Sequence, residues 1–334
     1  MRMSKHYVGH LPGHDPLYHY LQYDILPQMG LDNHHATFRV FRMSGSNEVY
    51  MYEEKHSQVQ VVGKFFAGNG HGGTHMPETY QRMEHEFHNL HLMRSYGLVG
   101  YPHEVVRPLG YNGWLNSLLV EEYYGGQSLS HVITDAILSR QPGRLYGKLT
   151  ALAYFLATFH NRTANGYGVN FHEDCAYLDR LVRKLSKKQF IHWNEVQEFS
   201  WLRDRWREQP RMWEDQQVLV HGDATPSNFL FGHGLSVIGI DLERMKRADR
   251  VFDIGVSPEN YSTFSYRSQA TNMPPNLLSA TSCGNMPATS PTATVHFAPS
   301  AGACLSRWAL PCCALPVTPG SVLIIAGGSS RKQK

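Results

Sequence analysis

The run His221-Gly222-Asp223-Ala224-Thr225-Pro226-Ser227-Asn228, followed by Asp241, holds the residue types that phosphoryl transfer requires. That reaction needs positioning and charge neutralisation more than covalent help, so its tools are a carboxylate, an amide and metal ions. Asp223 can orient an incoming hydroxyl and accept its proton. Asn228 offers a neutral oxygen, which suits Mg²⁺, a cation that favours oxygen ligands. Asp241 supplies negative charge at the end of Val237-Ile238-Gly239-Ile240, an apolar run that reads as a strand. Taken singly, Asp223 would as readily cap a turn and Asn228 sit in an Asx turn. The combined spacing, with a strand on each side, favours the chemical reading.

The elements that must position these groups fall into two sets. Val49 to Tyr52 and Val59 to Phe66 are β-rich runs, and the polar stretch from Glu53 to Ser57 between them predicts a hairpin. Thr79 to Tyr96 reads as a helix, with Met83, Phe87, Leu90 and Met93 at helical spacing and Gly97 as its stop. Leu115 to Tyr124 is a further strand candidate, ended by Gly125-Gly126. From Leu145 the pattern turns helical, with Leu149, Leu152, Ala153, Leu156, Phe159 and His160 on one face. Tyr177 to Gln209 is helix-rich as well, with Leu178, Leu181, Val182 and Leu185 on one stripe and Arg183, Lys184, Lys187 and Lys188 on a solvated face.

The spacing H-x-D-x-x-x-x-N is similar to that of a kinase catalytic loop, with Gly222 in place of the usual Arg. Together with the I-D-x-E motif ending at Glu243, the closing Asp253-Ile254-Gly255 and the helix from Leu152 to His160, it makes the chain resemble the aminoglycoside phosphotransferase and choline kinase superfamily. The resemblance runs from about residue 38 to residue 256. It implies an α+β, two-lobed protein-kinase-like fold with a small strand-rich N-lobe and a helical C-lobe. Residues 1–37 would be an N-terminal extension, 38–124 the nucleotide-binding lobe and 125–256 the catalytic lobe, apparently incomplete, with 257–334 a tail.

By the same resemblance Asp223 is the catalytic base, and Asn228 and Asp241 are magnesium ligands. Asp253 is a buried acid that braces the catalytic loop through backbone N–H groups, and His221 is a structural support. Lys64 matches the strand lysine that contacts the α- and β-phosphates. Glu86 is the best candidate for its helix partner, with Glu84 the close alternative. Val120-Glu121-Glu122-Tyr123 resembles the segment joining the lobes, which makes Glu121 and Tyr123 nucleotide-binding candidates where adenine would meet backbone groups. The implied activity is ATP- and Mg-dependent transfer of the γ-phosphate to a hydroxyl of a small molecule. The alternative is a catalytically inactive nucleotide-binding or truncated kinase-like protein. Protein kinase activity fits less well, because the stretch from Asp241 to Asp253 is too short for a long activation and peptide-binding loop.

Some features depart from the family pattern. Before Lys64 only Ser44-Gly45-Ser46-Asn47 is available as a phosphate-covering turn. Gly68, Gly70 and Gly73 match G-x-G-x-x-G between a strand and a helix, but no strand-ending acid follows at the distance a dinucleotide site requires. The segment therefore reads as a flexible linker. His85, His88 and His91 recur every third residue, and such steps drift around a helix rather than converge on a metal. Beyond residue 256 the sequence has no Asp, and its charges are Glu259, Arg267, Arg307, Arg331, Lys332 and Lys334. Ser, Thr, Ala and Pro dominate, a composition with little means of building a core, which predicts poor order and points to a frame or splice change near residue 256. A polycationic aminoglycoside would need several carboxylates near Asp223, and the tail supplies only Glu259.

A net charge of +3 gives no case for nucleic-acid binding. The five Cys residues form no C-x-x-C pair, which leaves zinc and thioredoxin-like readings without support. The first residues lack the apolar centre of a signal peptide, and no run approaches the roughly 18 apolar residues of a spanning helix. The expectation is a cytoplasmic protein with a small-molecule hydroxyl substrate, ATP and Mg as cofactors, and neither nucleic acid nor membrane as partner. The oligomeric state stays open.

Overall fold

The structure, a computed structural model, describes residues 5–31, 35–43, 48–67 and 77–254. The turn from Ser44 to Asn47, the glycine pattern from Gly68 to Gly73 and the tail beyond residue 254 lie outside the described residues. In chain order the elements are β1 (His6–His10), α1 (Pro16–Tyr20), β2 (Phe38–Arg42), β3 (Glu48–Glu54), β4 (Gln60–Phe65), α2 (Pro77–Ser95), β5 (Val99–Gly100) and β6 (His103–Val105). They continue with β7 (Pro108–Asn112), β8 (Leu118–Glu122), β9 (Gln127–Ser128), α3 (Leu129–Ser139), α4 (Gly143–Thr163), α5 (Phe171–Lys187) and α6 (Trp193–Arg207). The last are β10 (Val218–Val220), β11 (Phe229–Phe231), β12 (Val237–Gly239) and β13 (Lys246–Ala248). This is the expected α+β class, with most strands before residue 129, the long helices α3–α6 after it, and four short strands at the end. Two compact units divide the chain: Met1–His131 with Ser227–Arg244, and Val132–Pro226 with the segment from Met245. Among the described residues no helix is long and apolar enough to cross a membrane.

The first unit is built on an antiparallel sheet of order β1-β2-β3-β4-β8-β7. The expected hairpin is β3–β4, and its register pairs Val49 with Lys64 and Met51 with Val62. Successive side chains of a strand point to opposite faces. One face therefore carries Tyr52, Val61, Leu118 and Val120, which pack against Leu17, Leu21, Ile25 and Leu26 of the N-terminal segment. That segment, set aside in the sequence as an extension, adds β1 to the sheet edge and covers its outer face. The other face carries Val62, Lys64, Leu119 and Glu121.

Helix α2 buries Met83, Glu86, Asn89, Leu90 and Met93, and ends before Gly97, whose φ of 88° needs a residue without a Cβ. Phe87, expected inside, is half-buried beside Tyr111, with ring centroids 4.7 Å apart. His85, His88 and His91 lie exposed along the helix. A second sheet, β5-β6-β12-β11-β9, runs β12 parallel to β6 and delivers the chain to Asp241.

In the second unit, α4 buries the expected face, including Leu149, Leu152, Leu156, Phe159 and His160. Helices α5 and α6 enclose Phe171, Cys175, Leu178, Val182, Leu185, Phe199 and Trp206. Arg183, Lys184, Lys187 and Lys188 are exposed, as the amphipathic pattern predicts. The antiparallel pair β10–β13 flanks the His221 to Asn228 run, and Thr163 at the end of α4 accepts the Leu219 N–H on its hydroxyl at 3.0 Å.

The β3–β4 hairpin depends on one buried acid. Glu54 accepts from the backbone N–H of Ser57 at 2.7 Å, His56 at 3.0 Å and Thr37 at 3.2 Å, and from the Ser57 hydroxyl at 2.8 Å. Removing the carboxylate leaves several donors of this turn without their acceptor. Glu54→Ala is therefore expected to lower the unfolding free energy by about 1–3 kcal/mol in urea titration; an unchanged midpoint would show that the turn holds without it.

Candidate active site

Lys64 projects from β4 on the sheet face that also meets α2. Its Nζ donates to Glu86 Oε2 at 2.7 Å and to Asp241 Oδ1 at 2.6 Å. Glu86 reaches it because residue 86 falls on the buried stripe of α2, one turn beyond Met83. The close alternative, Glu84, faces Tyr111 instead, whose hydroxyl lies 3.5 Å from Glu84 Oε1. Two more α2 side chains hold the segment around Asp241. Asn89 Nδ2 donates to the Leu242 carbonyl at 2.8 Å, and Arg82 pairs with Glu243 at 2.8 Å. Asp241 itself has φ of 65°, a left-handed conformation uncommon for a non-glycine and characteristic of strained functional positions.

The charges in this cluster are unequal. Burial would lower the Lys64 ammonium, but Glu86, Asp241 and Glu121 together hold it above its ordinary value. Burial pushes the Glu86 carboxyl up, and the nearby lysine only partly offsets it. Burial likewise raises Glu121 to about 7 against the pull of Lys64. Three carboxylates thus face one ammonium, and Glu86 Oε1 and Glu121 Oε1 are buried with no hydrogen-bond partner among the described residues.

Asn228 is buried beside this cluster in the fold of the same unit. Its carbonyl accepts from Ile240 N at 3.0 Å, and the β11–β12 register pairs Phe229 with Gly239, so Asn228 sits at the strand end that leads to Asp241. Carboxylate oxygens of Glu86, Asp241 and Glu243 lie within 4.8 Å of one another. An all-oxygen donor set with excess negative charge and a partly accessible Asp241 fits a hard divalent cation such as Mg²⁺. Tyr123 lies beyond β8, its N–H donated to Gln60 O at 3.3 Å and its ring under Lys5 Nζ at 4.0 Å.

The second unit holds the other half of the motif. Asp253 is fully buried and its carboxylate accepts from His221 N at 2.7 Å, Gly222 N at 2.9 Å and His160 Nε2 at 2.8 Å. The first two are the backbone groups immediately before Asp223. Gly222 has φ of 81°, which explains why glycine occupies this place: a side chain there would be strained. Asp223 follows, half-buried, its carbonyl accepting from Thr225 N at 2.7 Å in a tight turn. The His221 ring stacks on Phe159 of α4, with centroids 6.4 Å apart.

A sequence profile of the phosphotransferase enzyme family matches residues 37–270, more than half of the chain. The chain belongs to this phosphotransferase family. Among solved structures it is similar to a macrolide 2'-phosphotransferase type I, at 13% identity over 88% of this chain and 89% of that one, with a TM-score of 0.48. Another is an ethanolamine kinase of Plasmodium vivax, at 13% identity over 74% and 67% of the two chains, with a TM-score of 0.47. A third is the choline kinase LicA of Streptococcus pneumoniae, at 16% identity over 72% and 73%, with a TM-score of 0.43. No curated protein sequence matches.

Sequence reasoning about this phosphotransferase missed His160 as a partner of Asp253, Arg82 and Asn89 as clamps on the 241–243 segment, and the buried side chain of Glu121. Polar residues at buried positions of an amphipathic helix were the available signal for Asn89 and His160.

Two substitutions test the electrostatics. Lys64→Met leaves Glu86 and Asp241 without their counter-charge, and breaking such a buried pair costs about 3–5 kcal/mol at pH 8. Carboxyls raised in the folded variant lose stability as pH rises through their folded values, so the deficit against wild type is expected to narrow as pH falls toward 5. A pH-independent deficit in urea unfolding would contradict this. His160→Phe removes a donor from a buried carboxylate and is expected to cost about 1–3 kcal/mol, read as a lower urea midpoint; equal midpoints would show the bond to be dispensable.

Proposed function

We propose that this phosphotransferase moves the γ-phosphate of ATP, with Mg²⁺, onto a hydroxyl of a small molecule. The observation that carries the reading is the buried Lys64 ammonium, held by Glu86 and Asp241 on the sheet face of the first unit that meets α2. A preformed ammonium at that place is suited to phosphate oxygens, and it stays charged because acids surround it. In this reading the nucleotide end is built on residues 38–124 with the 227–244 segment added, and the remainder of 125–256 carries the acceptor and its base.

Asp223 orients the acceptor hydroxyl and takes its proton. As the acceptor oxygen bonds to the γ-phosphorus, the bond to the β–γ bridging oxygen breaks and ADP leaves with the electron pair. Lys64 contacts the phosphate oxygens, and Glu86 holds its Nζ in place. Asn228 and Asp241 would hold the magnesium, which when bound neutralises charge on the β- and γ-phosphates. Asp253 fixes the backbone just before Asp223, so the base is positioned by an acid that never meets substrate.

The acceptor can be sought with a coupled assay across sugars and amino alcohols. With any acceptor that turns over, Asp223→Ala is expected to reduce transfer by about 10²–10⁴-fold while the thermal shift produced by MgATP remains. Transfer at the wild-type rate in that variant would remove Asp223 from the reaction, and a MgATP shift with no acceptor turned over would favour a binding protein without activity.

A further inference from the structure

Glu121 is the buried acid that the proposed reaction leaves unused. It is 7% exposed, lies near the end of β8, and among the described residues its Oε1 has no hydrogen-bond partner. An acceptor buried without a donor is costly and uncommon in a folded protein, and a donor brought by a ligand would satisfy it. Lys64 is not that donor, since its hydrogen bonds go to Glu86 and Asp241. Nor does Glu121 belong to the trio of Glu86, Asp241 and Glu243.

The register says what the side chain faces. Strand β8 pairs with β4 so that Leu119 lies opposite Lys64 and Glu121 opposite Val62. Lys64 and Glu121 therefore share one face of the sheet, separated along the strands by two residues, about 7 Å. Resting on the reading that nucleotide phosphates lie at Lys64, the ribose spans that gap and the base reaches the level of Glu121. Two backbone donors beside it are committed elsewhere, Glu122 N to Arg107 O at 2.9 Å and Tyr123 N to Gln60 O at 3.3 Å.

We infer that the Glu121 carboxylate selects the base, accepting a hydrogen bond from the 6-amino group of adenine and disfavouring a 6-oxo purine. A carboxylate only accepts. Adenine brings an N–H donor to that position, whereas guanine and hypoxanthine bring a carbonyl oxygen, which would set two acceptors against each other in a buried site. Sites built around one hydrogen bond discriminate strongly because the wrong ligand leaves a buried polar group unpaired.

The test is calorimetric binding of the magnesium complexes of ATP, GTP and inosine triphosphate at pH 8.5, which needs no acceptor. Inosine triphosphate differs from ATP only at the 6-position and its neighbouring ring nitrogen, and so confines the comparison to that edge of the base. Wild type is expected to bind ATP about 10- to 100-fold more tightly than inosine triphosphate, the range of one hydrogen bond to a charged group. Glu121→Leu is expected to bring that ratio close to one. Glu121→Gln, nearly the same shape, can present either its oxygen or its amide N–H and is expected to bind both purines within a few-fold. Equal affinity of wild type for the two nucleotides, or an unchanged ratio in the Leu and Gln variants, overturns the role of Glu121 while leaving phosphate binding at Lys64 intact. Failure of all three nucleotides to bind overturns both.

Discussion

An ammonium taken out of water must be met by carboxylates at close range, or the fold loses more than it gains. Lys64 meets that condition twice, at 2.7 Å from Glu86 and 2.6 Å from Asp241. Much of the first unit can be derived from this. The sheet must present β4 with residue 64 facing α2, α2 must turn residue 86 inward, and the chain after β12 must bend sharply enough to place Asp241 beside them. The left-handed backbone of Asp241 is part of that bend, and Asn89 and Arg82 hold it by gripping the next two residues. The cluster remains short of positive charge even so, which is a reason for it to attract a cation and a polyphosphate together.

The second unit solves a different problem with similar means. There a buried carboxylate, Asp253, is satisfied by two backbone N–H groups and one imidazole rather than by a lysine. The backbone donors come from His221 and Gly222, so the acid defines the path of the chain into Asp223. His160 ties that arrangement to α4, whose buried face is otherwise aromatic and aliphatic.

The parts of this design written in local sequence were legible. Asp223, Asn228 and Asp241 stood out as candidates through spacing within a short run, and Lys64 with Glu86 through the resemblance of their strand and helix to the family pattern. What escaped depends on contacts between distant residues. His160 and Asp253 are 93 positions apart. The orientation of Glu121 follows from the register of β8 against β4, and register is set by pairing rather than by either strand alone. Leu17, Leu21 and Ile25 did recur every fourth residue, but the α-turns widen into a π-turn before Pro27, and so short a stretch offered little helical pattern. Gly222, a departure from the usual Arg in the motif, became intelligible only with its φ of 81°.

In the proposed reaction the phosphates and magnesium meet at the Lys64 cluster, with Asp241 as a metal ligand. Calorimetric titration of ATP with and without Mg²⁺, in wild type and in Asp241→Asn, tests it most directly. Magnesium is expected to tighten ATP binding to the wild type and to lose that effect in the variant. A magnesium effect that persists in Asp241→Asn, or is missing from the wild type, would contradict it.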